Sequence, residues 1–162
     1  MSSNRFAPAG ITTRAQMITI LWRMEGEPMV EVAEGFNDVL DGDWCCNAVR
    51  WASANGIAEG YGDSIWAPGN ALTRQQMAAI LWRYAKYKGY DVSVGENANI
   101  LSYEDAFDVA EYAIPAMQWA CGSGLIQGVE KNGTMYLDPY GYATRSQIAA
   151  VIYRFQTEIK KS

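Results

Sequence analysis

The sequence predicts a mainly α-helical chain of tandem helix–loop–helix repeats packed around a central bundle. Three observations carry that prediction. A short motif recurs three times, as Thr13-Arg14-Ala15-Gln16-Met17, Thr73-Arg74-Gln75-Gln76-Met77 and Thr144-Arg145-Ser146-Gln147-Ile148. The copies run on through Ile20-Leu21-Trp22-Arg23, Ile80-Leu81-Trp82-Arg83 and Val151-Ile152-Tyr153-Arg154. A proline precedes each copy (Pro8, Pro68, Pro139), and two residues before it stands Phe6, Trp66 or Leu137. Finally, a second motif falls between the copies. It reads Phe36, Asp38-Val39, Trp44, Ala48, Trp51-Ala52, Gly56-Ile57 and Gly60, and again Tyr103, Asp105-Ala106, Tyr112, Ala116, Trp119-Ala120, Gly124-Leu125 and Gly128. Self-similarity on this scale marks a repeat protein or a pseudo-symmetric assembly.

Each Thr-Arg motif carries its own helix start. Thr13, Thr73 and Thr144 are N-cap residues, and Gln16, Gln76 and Gln147 stand at the capping-box position. Helically spaced apolar residues follow: Met17, Ile20, Leu21 and Met24; Met77, Ile80, Leu81 and Tyr84; Ile148, Val151, Ile152 and Phe155. These stripes are expected to meet in the central bundle. In the second motif Asp43 is the candidate N-cap, and Ala48, Trp51 and Ala52 face inward. Gly56 and Gly124 are the residues just past the helix ends. Pro115 is tolerated only in the first turns of its helix, where a missing amide costs least. The links at 60–68 and 128–139 are rich in turn formers, with room for short extended pieces but no long strand.

The repeat periods are unequal, which places insertions in connections, most clearly from Tyr87 to Leu101. Two copies of the second motif stand against three of the first, so the chain opens within a repeat. That predicts an upstream half-repeat cut from a larger protein, with a helix supplied by another chain as the alternative.

Composition bounds the function. The 162 residues suit one compact set of repeats, and 49% apolar content is ample for a core. A net charge of −5 without a basic run argues against nucleic acid. The longest apolar stretches fall short of the about 20 residues that cross a bilayer. There is no histidine, which removes Ser-His-Asp and Cys-His catalysis and most catalytic zinc sites. Cys45, Cys46 and Cys121 lack metal or disulfide spacing and read as packed thiols. Neither metal nor cofactor is implied. Asp38, Asp41, Asp43, Asp63, Asp105 and Asp108 read as caps and turn formers, with paired-carboxylate glycan hydrolysis as the rival.

Arg14, Arg74 and Arg145 require another explanation, because a cation in the first helical turn opposes the helix dipole. Two readings stand: each holds an anion together with helix amides, or each pairs with a nearby Asp. Arg23, Arg83 and Arg154, at the opposite end, complement the dipole. Among aromatics, Trp51 and Trp119 fit a core, whereas Trp44, Tyr61 and Tyr112 fit a core or a sugar-stacking face equally.

Taken in order, Phe-x-Asp-Val, an aromatic-Ala helix, Gly-Ile-x-x-Gly-Tyr, aromatic-x-Pro and Thr-Arg-x-Gln resemble the S-layer homology module. The resemblance runs from Phe6 to Phe155 as about two and a half modules, with segments 1–30, 31–95 and 96–162. It implies a pseudo-threefold spindle around a three-helix bundle, with grooves between modules that bind an anionic, often pyruvylated, secondary cell-wall polysaccharide. It implies a non-catalytic anchor on the bacterial cell surface, without nucleic-acid partner or membrane insertion. Carried over residue by residue, the ligand contacts are Arg14, Arg74, Arg145, Asp43, Trp44, Tyr61, Asp63 and Tyr112. Four departures stand out. The family's motif Glu is Gln in every copy, the first outer helix is missing, the last turn lacks Tyr-x-Asp, and Glu111 stands where the other copy has Asp43. One or two competent grooves are therefore expected. The alternative is an assembly module that self-associates through the incomplete first repeat, motivated by an exposed face of Met17, Ile20, Leu21 and Met24.

Overall fold

The computed structural model describes residues 9–31, 35–93 and 98–159. Phe6, Pro8 and part of the Tyr87–Leu101 insertion lie outside these residues. The chain is mainly helical, as the sequence predicts. The helices are α1 (Arg14–Met24), α2 (Cys46–Ala54), α3 (Arg74–Tyr87), α4 (Ile114–Gly122) and α5 (Arg145–Arg154), which runs into a π-helical turn at Phe155–Ile159. Strands β1 (Val129–Lys131) and β2 (Thr134–Tyr136) form an antiparallel hairpin with Val129 opposite Tyr136. No helix among the described residues is long and apolar enough to cross a membrane.

The three capping boxes form as the motif predicts. Thr13, Thr73 and Thr144 accept from the amides of Gln16, Gln76 and Gln147, whose side chains return a bond to the cap amide. The second-motif helices start differently. Helix α2 begins only at Cys46, with Cys45 at the cap and no side-chain cap bond. Asp43 is thus not its N-cap. Its Oδ2 accepts from the Leu40 amide at 2.8 Å and closes the preceding turn. Helix α4 follows a 3-10 turn at Glu111–Ala113 and holds Pro115 in its first turn. Both helices end in Schellman geometry. The Ile57 and Leu125 amides donate back to the carbonyls of Ala52 and Ala120, at 2.8 and 2.9 Å. This requires positive φ at Gly56 (66°) and Gly124 (73°), which glycine adopts at least cost.

The motif segments are joined by a closed cycle of backbone bonds. The Leu72 amide donates to Thr12 O (2.8 Å), Thr12 to Ala143 O (3.0 Å), and Ala143 back to Leu72 O (2.8 Å). At the start of each motif helix, the amides of Arg14, Arg74 and Arg145 donate to the carbonyls of Asn70, Gly141 and Gly10. Every early amide of α1 is taken: Ala15 donates to Pro68 O, Gln16 to the Thr13 hydroxyl and Met17 to Thr13 O. In α3, Gln75, Gln76 and Met77 repeat the pattern with Pro139 and Thr73.

Helix α1 packs on α2, and α3 on α4, so each of these motif helices is covered by the second-motif helix that follows it. Trp51, Trp66 and Trp119 are fully buried and join Met17, Leu21, Met77, Leu81 and Val151 in one continuous core. The Met17–Met24 stripe is thus largely covered, as the bundle reading expects and against the alternative that took it as exposed. Met17 and Leu21 are buried, and Ile20 and Met24 are half-buried. Cys45 and Cys46 are buried and Cys121 half-buried, and burial pushes the Cys121 thiol up to about 11.

The aspartates of the second motif tie down the links. The two oxygens of Asp38 accept from the Trp66 (2.9 Å) and Ala67 (2.7 Å) amides. Asp105 holds the Leu137 and Asp138 amides in the same way. Burial opposes ionisation of Asp38, but the two amides outweigh it and hold the carboxyl below its ordinary value. A carboxylate with a depressed folded pKa contributes stability above its unfolded pKa and loses it as pH falls through the folded value. Asp38→Asn is thus expected to cost about 1–2 kcal/mol at pH 7, with the deficit shrinking below about pH 4. Urea denaturation at pH 7 and pH 3 checks this; an equal deficit at both would exclude the charged interaction.

Candidate functional site

Three grooves run between the motif helices, and their linings correspond position by position. Between α1 and α3, Arg14 faces Gln76, Ala79, Ile80 and Arg83 across a cavity of about 260 Å3. Between α3 and α5, Arg74 faces Gln147, Ala150, Val151 and Arg154 across about 250 Å3. Between α5 and α1, Arg145 faces Gln16, Thr19, Ile20 and Arg23 across about 350 Å3.

The grooves differ in what borders them. Link residues 58–61 and Tyr112 complete the α1–α3 groove. Link residues 125–129 border the α3–α5 groove, with no aromatic counterpart of Tyr112 among the described residues. Trp44 borders the α5–α1 groove, with no link counterpart among the described residues. Only the α1–α3 groove therefore has both borders among the described residues.

The motif arginines are held in two ways. Arg14 is only 6% exposed; its Nε donates to Trp66 O (3.2 Å) and its Nη2 to Glu59 O (2.8 Å). Its guanidinium stacks 4.5 Å from the Trp66 ring centroid and 4.6 Å from that of Tyr61. Arg74 is 5% exposed and repeats the bonds, to Leu137 O and Gln127 O, both at 2.9 Å. Burial lowers the pKa of both, yet a guanidinium stays charged in any aqueous range. Arg145 is half-buried and makes no side-chain hydrogen bond or ion pair among the described residues.

This arrangement revises the expected pairing of Arg14 and Arg74 with a nearby Asp. Among the described residues, the hydrogen-bond partners of Arg14 and Arg74 are not aspartates but backbone carbonyls of the link that crosses the helix start. The first amides of α1 and α3 are taken by the same kind of partner. Each of these helix starts is thus a docking point for the chain itself, and an anion would have to be held by side chains.

The other predicted residues divide. Tyr61, 56% exposed, accepts from the Gln76 amide nitrogen (3.0 Å) and so connects the link to α3. Tyr112 lies half-exposed in the same groove, and burial raises its phenol pKa. Arg14, Tyr61 and Tyr112 are therefore brought together, whereas Trp44 stands with Arg145 in a different groove. Asp43 borders none of the three linings, and Asp63 sits with Ser64 at an exposed turn tip, both at positive φ. Sequence reasoning passed over Arg83 as a groove residue. The signal was present, since Gln76, Ile80 and Arg83 fall at i, i+4 and i+7 on one helix face.

Residues 35–78 match the family model of the S-layer homology domain. Those residues form an S-layer homology domain. Similar proteins include the exoglucanase XynX of Acetivibrio thermocellus, 30% identical over 94% of this chain and 14% of that protein. The surface-layer 125 kDa protein of Lysinibacillus sphaericus is 30% identical over 94% of this chain and 12% of its own length. The amylopullulanase of Thermoanaerobacterium thermosulfurigenes is 29% identical over 94% of this chain and 8% of its own length. The chain thus spans a small part of each relative, and the enzyme names describe those larger proteins. The S-layer homology domain is a non-catalytic anchoring module, and it places this chain at the bacterial cell surface.

The burial of Arg14 has a measurable consequence. Arg14→Ala leaves two inward carbonyls unpaired and removes the stacked cation, at an expected cost of about 2–4 kcal/mol. Arg145→Ala removes a side chain without partners among the described residues and is expected to cost under about 0.5 kcal/mol. Equilibrium unfolding in urea checks the contrast; equal costs would contradict the assigned bonds.

Proposed function

We propose that this S-layer homology chain anchors a bacterial surface protein to the cell wall by binding an acidic, pyruvylated secondary wall polysaccharide in its α1–α3 groove. The observation that carries the reading is the convergence of Arg14, Arg83, Tyr61 and Tyr112 on one open groove. Phenol faces pack against the C–H faces of sugar rings, and guanidinium groups pair with carboxylates. The relatives add support, because one of them is a surface-layer protein. Catalysis by paired carboxylates lacks support, since Asp38 and Asp105 are committed to link amides. Assembly through the first motif lacks it as well, because Met17 and Leu21 are covered.

The test is co-sedimentation of the chain with Gram-positive sacculi, before and after the secondary polymer is stripped. Binding is expected to disappear with the polymer. Tyr112→Ala is expected to lower the bound fraction several-fold without changing the melting temperature by more than about 2 °C. Tyr153→Ala, at an exposed position outside the linings of the three grooves, is expected to bind as the parent chain does. Undiminished binding to stripped sacculi would defeat the proposal.

A further inference from the structure

Because the three grooves correspond position by position, their differences show what each can hold. The distal arginine of the motif lines the same wall every time, but its engagement varies. Arg23 lies 3.9 Å from Glu27 in an exposed pair at the end of α1. Arg154 donates Nη1 to the Leu125 carbonyl at 3.1 Å. Arg83, half-buried, makes no side-chain hydrogen bond or ion pair among the described residues.

Across the groove, Arg14 is buried and bound to two carbonyls, so it holds the link that forms one wall. The α1–α3 groove thus combines a cation committed to structure with a cation that has no acceptor among the described residues. The two repel: after burial and the neighbouring phenols, the charge of Arg83 is among the influences on Arg14. Glu59 is the acidic residue of the lining, and it is exposed while its carbonyl holds Arg14. Two like charges facing one cleft favour an anion between them. A guanidinium with a free planar fork suits a carboxylate in particular.

We infer that Arg83 is the charge-reading residue of the α1–α3 groove. It pairs with the carboxylate of the acidic sugar and makes this groove prefer an anionic ligand, while Arg14 acts as a positioning residue. The inference rests on the glycan-binding reading above. It separates two jobs: the motif arginine builds the groove, and the arginine at the far end of the next motif helix reads the charge.

The probes are a hexose methyl glycoside bearing a pyruvate ketal and the neutral methyl ester of the same compound, titrated calorimetrically into the full chain. The parent chain is expected to bind the acid about tenfold tighter than the ester, with the preference shrinking at high salt. R83Q is expected to abolish that preference while leaving affinity for the ester within about twofold. R83K, which keeps the charge but not the fork, is expected to retain part of it. Unchanged ester binding by R83Q reports an intact groove, so loss of the preference cannot come from misfolding. R83Q that keeps the full preference overturns the inference. A parent chain that binds acid and ester equally overturns it too, yet leaves glycan binding standing. A parent chain that binds neither overturns both.

Discussion

The structure depends on how the motif helices begin. A helix start normally leaves amides without partners, and water, a side chain or a ligand must supply them. Here the neighbouring link supplies them. Arg14 N donates to Asn70 O and Ala15 N to Pro68 O, while Arg74 N and Gln75 N do the same with Gly141 and Pro139. The cycle through Thr12, Leu72 and Ala143 closes the arrangement, so that each motif holds the next. The threonine cap and its glutamine satisfy what remains. The prolines at 68 and 139 fit this role, since they stiffen the link and offer a carbonyl without needing a partner for an amide.

This constraint accounts for the unusual arginines. A cation beside a helix start is unfavourable when that start is bare. Carbonyl oxygens of the crossing link change the local field, and a buried guanidinium then satisfies them. Arg14 and Arg74 bind carbonyls at equivalent places in their links, Trp66 and Leu137 through Nε, Glu59 and Gln127 through Nη2. Asp38 and Asp105 grip the same links through their amides. Each link is thus clamped at its carbonyls by one motif and at its amides by the other. That accounts for Arg14 and Arg74 in the first motif and for Asp38 and Asp105 in the second.

Much of this was legible in the sequence. The capping boxes, the glycine ends of α2 and α4, the inward Trp51 and Trp119 and the hairpin-length strands all follow from local rules acting over a few residues. What was not legible depends on contacts between distant parts of the chain. Nothing near Arg14 announces that its partners lie at Glu59 and Trp66. Helical spacing marked Met17 and Leu21 as core, but not that α2 is the helix that covers α1. Asp43 misled because a turn and a helix cap use the same side chain, and only the true start of α2 at Cys46 separates them. At the candidate site, the residue types were readable but their sorting among three grooves was not.

That sorting bears on how a repeated motif acquires distinct roles. Repetition places equivalent side chains on equivalent walls, so three identical grooves would be the default. The borders break the equivalence: Tyr112 stands where Trp44 does in another groove, and no aromatic stands in the third among the described residues. Engagement breaks it further, because a carbonyl within reach takes Arg154 while Arg83 has none among the described residues. The core positions cannot drift without loosening the clamped links, whereas the groove borders are exposed and tolerate change. Ligand preference can therefore diverge between grooves while the helix starts, the links and the backbone cycle stay the same.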